Sequence, residues 1–402
     1  MPRAALALIL LAATAATSGA QWTLQDAHTT ADLRGIDNVG HGVAWASGSE
    51  GTILRTLDSG RHWQLCAKPP NADHLDFRAV QAFDNNTALI MSSGKGDLSR
   101  LYKTTDGCQT WTLLFTNPDK DGFWDALQFE RKSEPPTNRV AHPSTQSKGG
   151  VSRVVARDAD HNFGVLLGDP VDGHFAIFLT FDGGATWKRD PMQVKATQDE
   201  GVFAASNSSL IVSSLGDRAF CTGGPSGARV VHHNTGIEDT TGPNVFHDPK
   251  TGWATSLWFE QLASTQKTES SGCFSIAEHN GVRVAVGGDY KHPDQSSSTA
   301  WTSELLPRKS DDALRTALAP PHGYRSAVAY DSKFNTWITV GPNGTDISTD
   351  DGRNWRALHP DPKYNEASDA DQHWNALSLP YVVGPHGRIG TLRPSALQTA
   401  HP

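Results

Sequence analysis

Three arginines recur in one local setting, each after an apolar or aromatic residue that opens an extended run: Leu33-Arg34, Phe77-Arg78 and Tyr324-Arg325. Four more runs open on an aromatic residue, in Phe123-Trp124, Val202-Phe203, Cys273-Phe274 and His373-Trp374. A guanidinium pairs bidentately with carboxylate or phosphate and stacks on rings. Arg34, Arg78 and Arg325 with Trp124, Phe203, Phe274 and Trp374 would therefore suit an anionic or flat conjugated ligand, a carbohydrate included. The plainer reading makes the aromatics filling and pairs the arginines with acids such as Asp37 or Asp125. Asp97, Asp169, Asp172, Asp217 and Asp289 lie around glycine turns, and glycoside hydrolysis could draw a carboxylate pair from them.

Those residues need a scaffold, and a repeated turn supplies it. Thr56-Leu-Asp-Ser-Gly-Arg-His-Trp63, Thr104-Thr-Asp-Gly-Cys-Gln-Thr-Trp111, Thr180-Phe-Asp-Gly-Gly-Ala-Thr-Trp187 and Ser348-Thr-Asp-Asp-Gly-Arg-Asn-Trp355 share a hydroxyl two residues before Asp and a Trp five after it. Asp58, Asp106, Asp182 and Asp350 can accept hydrogen bonds from their own turn, glycine permits positive φ, and Trp63, Trp111, Trp187 and Trp355 each open the next strand. This pattern resembles the Asp-box, or BNR, motif of sialidase-like β-propellers. It implies an all-β, seven-bladed β-propeller in which the aspartates hold turns.

The blade count follows from apolar strands that end on a glycine turn. They are Val43-Ala-Trp-Ala-Ser-Gly, Leu89-Ile-Met-Ser-Ser-Gly, Val165-Leu-Leu-Gly, Ala219-Phe-Cys-Thr-Gly-Gly, Val284-Ala-Val-Gly-Gly, Trp337-Ile-Thr-Val-Gly and Tyr381-Val-Val-Gly. Box spacing leaves room for an insertion between the second and third boxes, at about 130–152, rich in Pro, Ser, Lys and Thr. The last unit lacks a closing strand, and Gln21-Trp-Thr-Leu-Gln25 resembles the strand after each box. The N-terminal strand is therefore expected to complete blade seven and remove a sheet edge. In a propeller the first strand of each blade lines the channel, so the arginine and aromatic positions are expected to form one ring near its mouth.

Residues 1–20 carry Arg3, an apolar run and a Ser-Gly-Ala end, the pattern of a secretory signal peptide. A periplasmic or secreted chain, one propeller over 21–402, is expected, with no membrane span after cleavage. A net charge of −8 disfavours nucleic acid as the main partner. Four cysteines in an exported chain make disulfides plausible, and because successive blades adjoin, the favoured pairs are Cys66 with Cys108 and Cys221 with Cys273.

Arg34-Gly-Ile-Asp, Gly42-Val-Ala-Trp45, Leu101-Tyr-Lys-Thr-Thr-Asp106, Gly168-Asp-Pro170 and Gly341-Pro-Asn-Gly344 extend the likeness. With the export signal they make the chain similar to bacterial relatives of the photosystem II stability/assembly factor family. The resemblance implies a monomeric, non-enzymatic assembly or scaffold propeller without cofactor or metal. It would bind a protein client, membrane-associated in that family, through an arginine patch for which Arg34, Arg78 and Arg325 are the candidates. The competing expectation is a sialidase-like glycoside hydrolase or carbohydrate-binding propeller. Phe77-Arg-Ala-Val80 faintly echoes the sialidase Arg motif, and a nucleophile pair would come from Tyr290, Tyr324 or Tyr364 with Glu260, Glu278, Glu304 or Glu366.

Overall fold

In a computed structural model, the described residues are 21–130, 162–213, 216–235, 245–247, 254–263, 265–303, 314–361 and 366–398. The expected signal segment 1–20, all but the first residue of the expected insertion 130–152, Tyr364 and Glu304 lie outside them. The described chain folds into seven antiparallel sheets, six of four strands and one of five. Their first strands are Leu33–Gly40, Phe77–Ala82, Trp124–Phe129, Leu210–Val212, Ser271–His279, Ala327–Asp331 and Ala376–Ser378. Each adjoins the next, and the seventh adjoins the first, so the sheets form a closed ring of blades. Among the described residues no helix is long and apolar enough to cross a membrane.

The second strand of each blade is buried on both faces, which explains why Ala88–Ser92 and Tyr381–Val383 read as unbroken apolar runs rather than alternating ones. The core sits between blades. Trp45 and Ile53 of blade one pack with Phe77, Ile90 and Tyr102 of blade two, and Leu33 of blade one packs with Tyr381 and Ile389 of blade seven.

Blade seven is completed from the other end of the chain. Trp22–Gln25 pairs antiparallel with Ile389–Leu392, from Trp22 opposite Leu392 to Gln25 opposite Ile389. Trp22 is buried, its ring centroid 5.8 Å from that of Trp374, and its indole N–H donates to Thr345 Oγ1 at 3.0 Å. Both disulfides join neighbouring blades: Cys66–Cys108 ties blade one to blade two and Cys221–Cys273 ties blade four to blade five.

The four repeated turns share one hydrogen-bond scheme. In the third, Thr180 Oγ1 donates to Asp182 Oδ1 at 2.8 Å and accepts from the Gly184 N–H at 3.0 Å, while Asp182 Oδ1 accepts from the Thr186 N–H at 2.9 Å. Asp58, Asp106 and Asp350 repeat it. Side-chain donors His62, Thr110 and Thr186 hold Asp58, Asp106 and Asp182 at a pKa of about 2. The residue whose N–H meets the hydroxyl has positive φ in every copy. Three copies place Gly60, Gly184 and Gly352 there, but the second places Cys108, with φ of 64°, and its disulfide holds it.

Around the channel, side chains of the first strands clasp the next blade, and Asn207, just before strand Leu210–Val212, clasps the preceding one. Asp37 Oδ2 accepts from the Ala82 N–H at 2.8 Å, Gln81 Oε1 from Phe129 N–H at 3.3 Å and Asn207 Oδ1 from Leu127 N–H at 2.7 Å. Ser275 Oγ accepts from Val328 N–H and Ser378 Oγ from Asn38 N–H, both at 3.0 Å. The segment leading into strand Leu210–Val212 crosses the channel itself: the Ala204 carbonyl meets Arg78 of blade two and Ser206 Oγ donates to the Ser326 carbonyl of blade six at 2.7 Å.

Candidate functional site

The expected ring of seven does not form, and the reason is register. The first strands of blades one, two, three and five each carry a bulge, after the opening residue in the first three and after the third residue in blade five, and the bulged residues are Arg34, Arg78, Asp125 and Phe274. Such an extra residue re-aims one side chain out of the ladder, here at the channel mouth. The residue before it is Leu33, Phe77, Trp124 or Cys273, and all four are fully buried. Arg325 and Trp374 belong with these buried openers: like Leu33 and Cys273, each donates its backbone N–H to a carbonyl at the turn end of the preceding blade. Their partners at the mouth are Ser326 and Asn375. Aligning on residue type therefore shifted blades three, six and seven by one position, and a one-residue shift exchanges a mouth side chain for a core one.

Trp124 and Trp374 consequently fill blade cores. Arg325 is fully buried among polar groups of its own blade. Its Nε donates to Asp346 Oδ2 at 2.8 Å, a terminal nitrogen pairs with the same carboxylate, and another donates to Asn343 Oδ1 at 2.6 Å. His322 Nδ1 lies 2.8 Å from Asp346 Oδ1. Despite its burial Asp346 stays below the usual carboxylate range, held there by His322 and Arg325.

What remains at the mouth is a run over blades one to five. Arg34 lies 3.5 Å from Asp32 and 3.9 Å from Asp76, and Arg78 Nε donates to Asp76 Oδ2 at 2.8 Å. The two arginine side chains are 30% and 29% exposed. Blade three adds Asp125, buried on the bulge, and Asp169, whose Oδ1 accepts the Val202 N–H at 3.0 Å. Burial raises both: Asp169 to about 6, partly opposed by the Val202 N–H, and Asp125 well above its usual range, helped by the charge of Asp169 and opposed by Arg78. Phe203 then stacks on Phe274 at 4.0 Å, with Tyr290 edge-on to both and half exposed.

Sequence reading named Arg34, Arg78, Phe203 and Phe274 in this run. It missed Asp76, which lies two residues before Arg78, took Asp125 as a possible arginine partner and counted Asp169 among the acids that could supply a glycosidase pair. The Trp124-Asp125 step, read against Phe77-Arg78, was the available signal. Of the other rim acids, Asp97 pairs with Arg100, and Asp289 is buried among Thr268, Lys291 N–H and His292. Among the described residues the glycosidase set does not assemble. Tyr324 is buried against Phe274, Glu260 serves His232 and the Leu314 N–H, Glu278 pairs with Arg283, and Glu366 accepts from Gln21 and Asp361 N–H groups. Among the described residues no group of three or more His, Cys, Asp or Glu is placed to hold a metal.

No family model and no curated protein matches the sequence. Solved structures do match the fold. One, described as YCF48 bound to a D1 peptide, is 15% identical with a TM-score of 0.55, over 92% of this chain and 95% of that one. YCF48 from Cyanidioschyzon merolae is 16% identical with a TM-score of 0.55, over 93% of this chain and 99% of that one. The chain thus shares with YCF48, a photosystem II assembly factor, the architecture of a seven-bladed β-propeller.

Proposed function

We propose that the protein is an exported, non-enzymatic scaffold or assembly propeller that binds a protein client at the channel mouth through Arg34, Arg78, Phe203 and Tyr290. The observation that carries this reading is the partly exposed Arg34–Asp76–Arg78 cluster on the same mouth as the Phe203–Phe274 stack and the half-exposed ring of Tyr290. Arginine and aromatic residues of that kind dominate protein recognition. A likeness of fold to a propeller described as bound to a peptide supports it, and two interblade disulfides support an oxidising compartment, periplasmic or secreted. The client is read as membrane-associated.

The test is crosslinking in source cells, with the captured partner identified by mass spectrometry, for wild type and for the double variant Arg34→Ala, Arg78→Ala. The reading requires one partner lost in the double variant at unchanged melting temperature. Retention of every partner would refute it, and turnover of a glycoside that vanishes in Arg78→Ala would install the hydrolase reading instead.

A further inference from the structure

We propose that the group bound at the channel mouth is a basic side chain of the client, lysine or arginine, with its cationic head against Asp125 and Asp169 and its stem along Phe203 and Tyr290. This rests on the client-binding reading and names the chemistry that reading leaves open.

Arg34 and Arg78 are matched by Asp32 and Asp76, so the two carboxyl groups of blade three are the surplus at the mouth. Asp125 is only 1% exposed, and its Oδ2 has no hydrogen-bond partner among the described residues. Arg78 commits Nε to Asp76 and a terminal nitrogen to the Ala204 carbonyl, so its influence on Asp125 is exerted through space. A buried acceptor without a donor is costly, and a donor that also carries charge gains most from meeting it.

The neighbouring rings favour the same occupant. The contact of Asp169 with Val202 N–H sets the next residue, Phe203, beside the acids, and the Phe203–Phe274 stack with Tyr290 presents aromatic surface there. Ring faces attract ammonium and guanidinium groups, and rings pack well along an aliphatic stem. An anionic group would meet two acids, and the nearest cations, Arg34 and Arg78, already face Asp32 and Asp76. A divalent metal would want three or more acidic or imidazole ligands, which the described residues do not gather.

Calorimetric titration at about pH 8, above the raised value of Asp169 near 6, with Nα-acetyl-argininamide, Nα-acetyl-lysinamide and the neutral Nα-acetyl-norleucinamide tests this directly. Saturable binding is expected for the basic amides alone, weakened by about tenfold or more in Asp169→Asn and in Asp125→Asn, which keep side-chain volume and remove the acid. Equal binding of the norleucine amide, no binding of any amide, or affinity unchanged in both Asn variants would overturn the proposal. Saturable calcium chloride binding lost in those variants, without amide binding, would overturn it in favour of a metal. Crosslinking separates the two levels: a client lost in the double arginine variant but kept in Asp169→Asn refutes this inference alone. A client indifferent to both refutes the functional reading beneath it.

Discussion

Arg325 and Asp346 are joined at 2.8 Å inside the wall of blade six, where the arginine has no exposed surface. Arg325→Ala would leave Asp346 buried without its main cation, and breaking such a pair costs about 3–5 kcal/mol. Denaturant unfolding should show that loss. Replacing both partners by leucine should recover part of it, because the apolar pair leaves no stranded charge. A near-neutral Arg325→Ala would mean that His322 and solvent suffice for Asp346.

Ring closure depends on Trp22. Its ring is buried against Trp374 and its strand is the outer edge of blade seven. Trp22→Ala should cost about 3–5 kcal/mol in urea unfolding, the range for a large buried aromatic. A loss under about 1 kcal/mol would indicate that the ring stays shut without that anchor.

Burial sets the folded pKa of Asp169 at about 6, above the ordinary carboxylate value near 4. For an acid with a raised folded pKa, the contribution to stability is complete below about pH 4 and is lost as pH rises through about 6. Asp169→Asn removes that pH dependence. Its melting temperature relative to wild type should rise between about pH 4 and pH 7. A difference that stays flat across that window would show that Asp169 titrates as a solvated carboxylate.

The Cys66–Cys108 bridge spans 42 residues of sequence. Chain-entropy arithmetic for such a loop gives about 4 kcal/mol. The paired variant Cys66→Ser, Cys108→Ser should lose stability of that order. It should also free Cys108 from the left-handed turn position that the other three copies give to glycine. If adding Cys108→Gly in place of Ser recovers nothing, backbone strain at that turn is absent.

Much was legible in the residues because repetition made it so. Four Asp–Trp turns fixed the hairpins, seven apolar strands ending on glycine fixed the blade number, and Trp22-Thr-Leu-Gln25 could be matched to the strand missing from blade seven. Each of these is a local pattern, and local patterns need only hydrogen-bond chemistry within the turn or strand that carries them. The site was harder. Whether Arg325 faces the channel or the core depends on a single-residue bulge, and bulges leave no mark in residue type, so Arg325 read like Arg34 although the fold buries it against Asp346. The raised pKa of Asp125 and Asp169 could not be read from residue type, because it comes from burial and, for Asp125, from the charge of Asp169, 44 positions on in the sequence. The sequence by itself determined the repeating units and their order. Tertiary structure decided which face each opening side chain takes, because that choice is made by the register between strands and not by the strand alone.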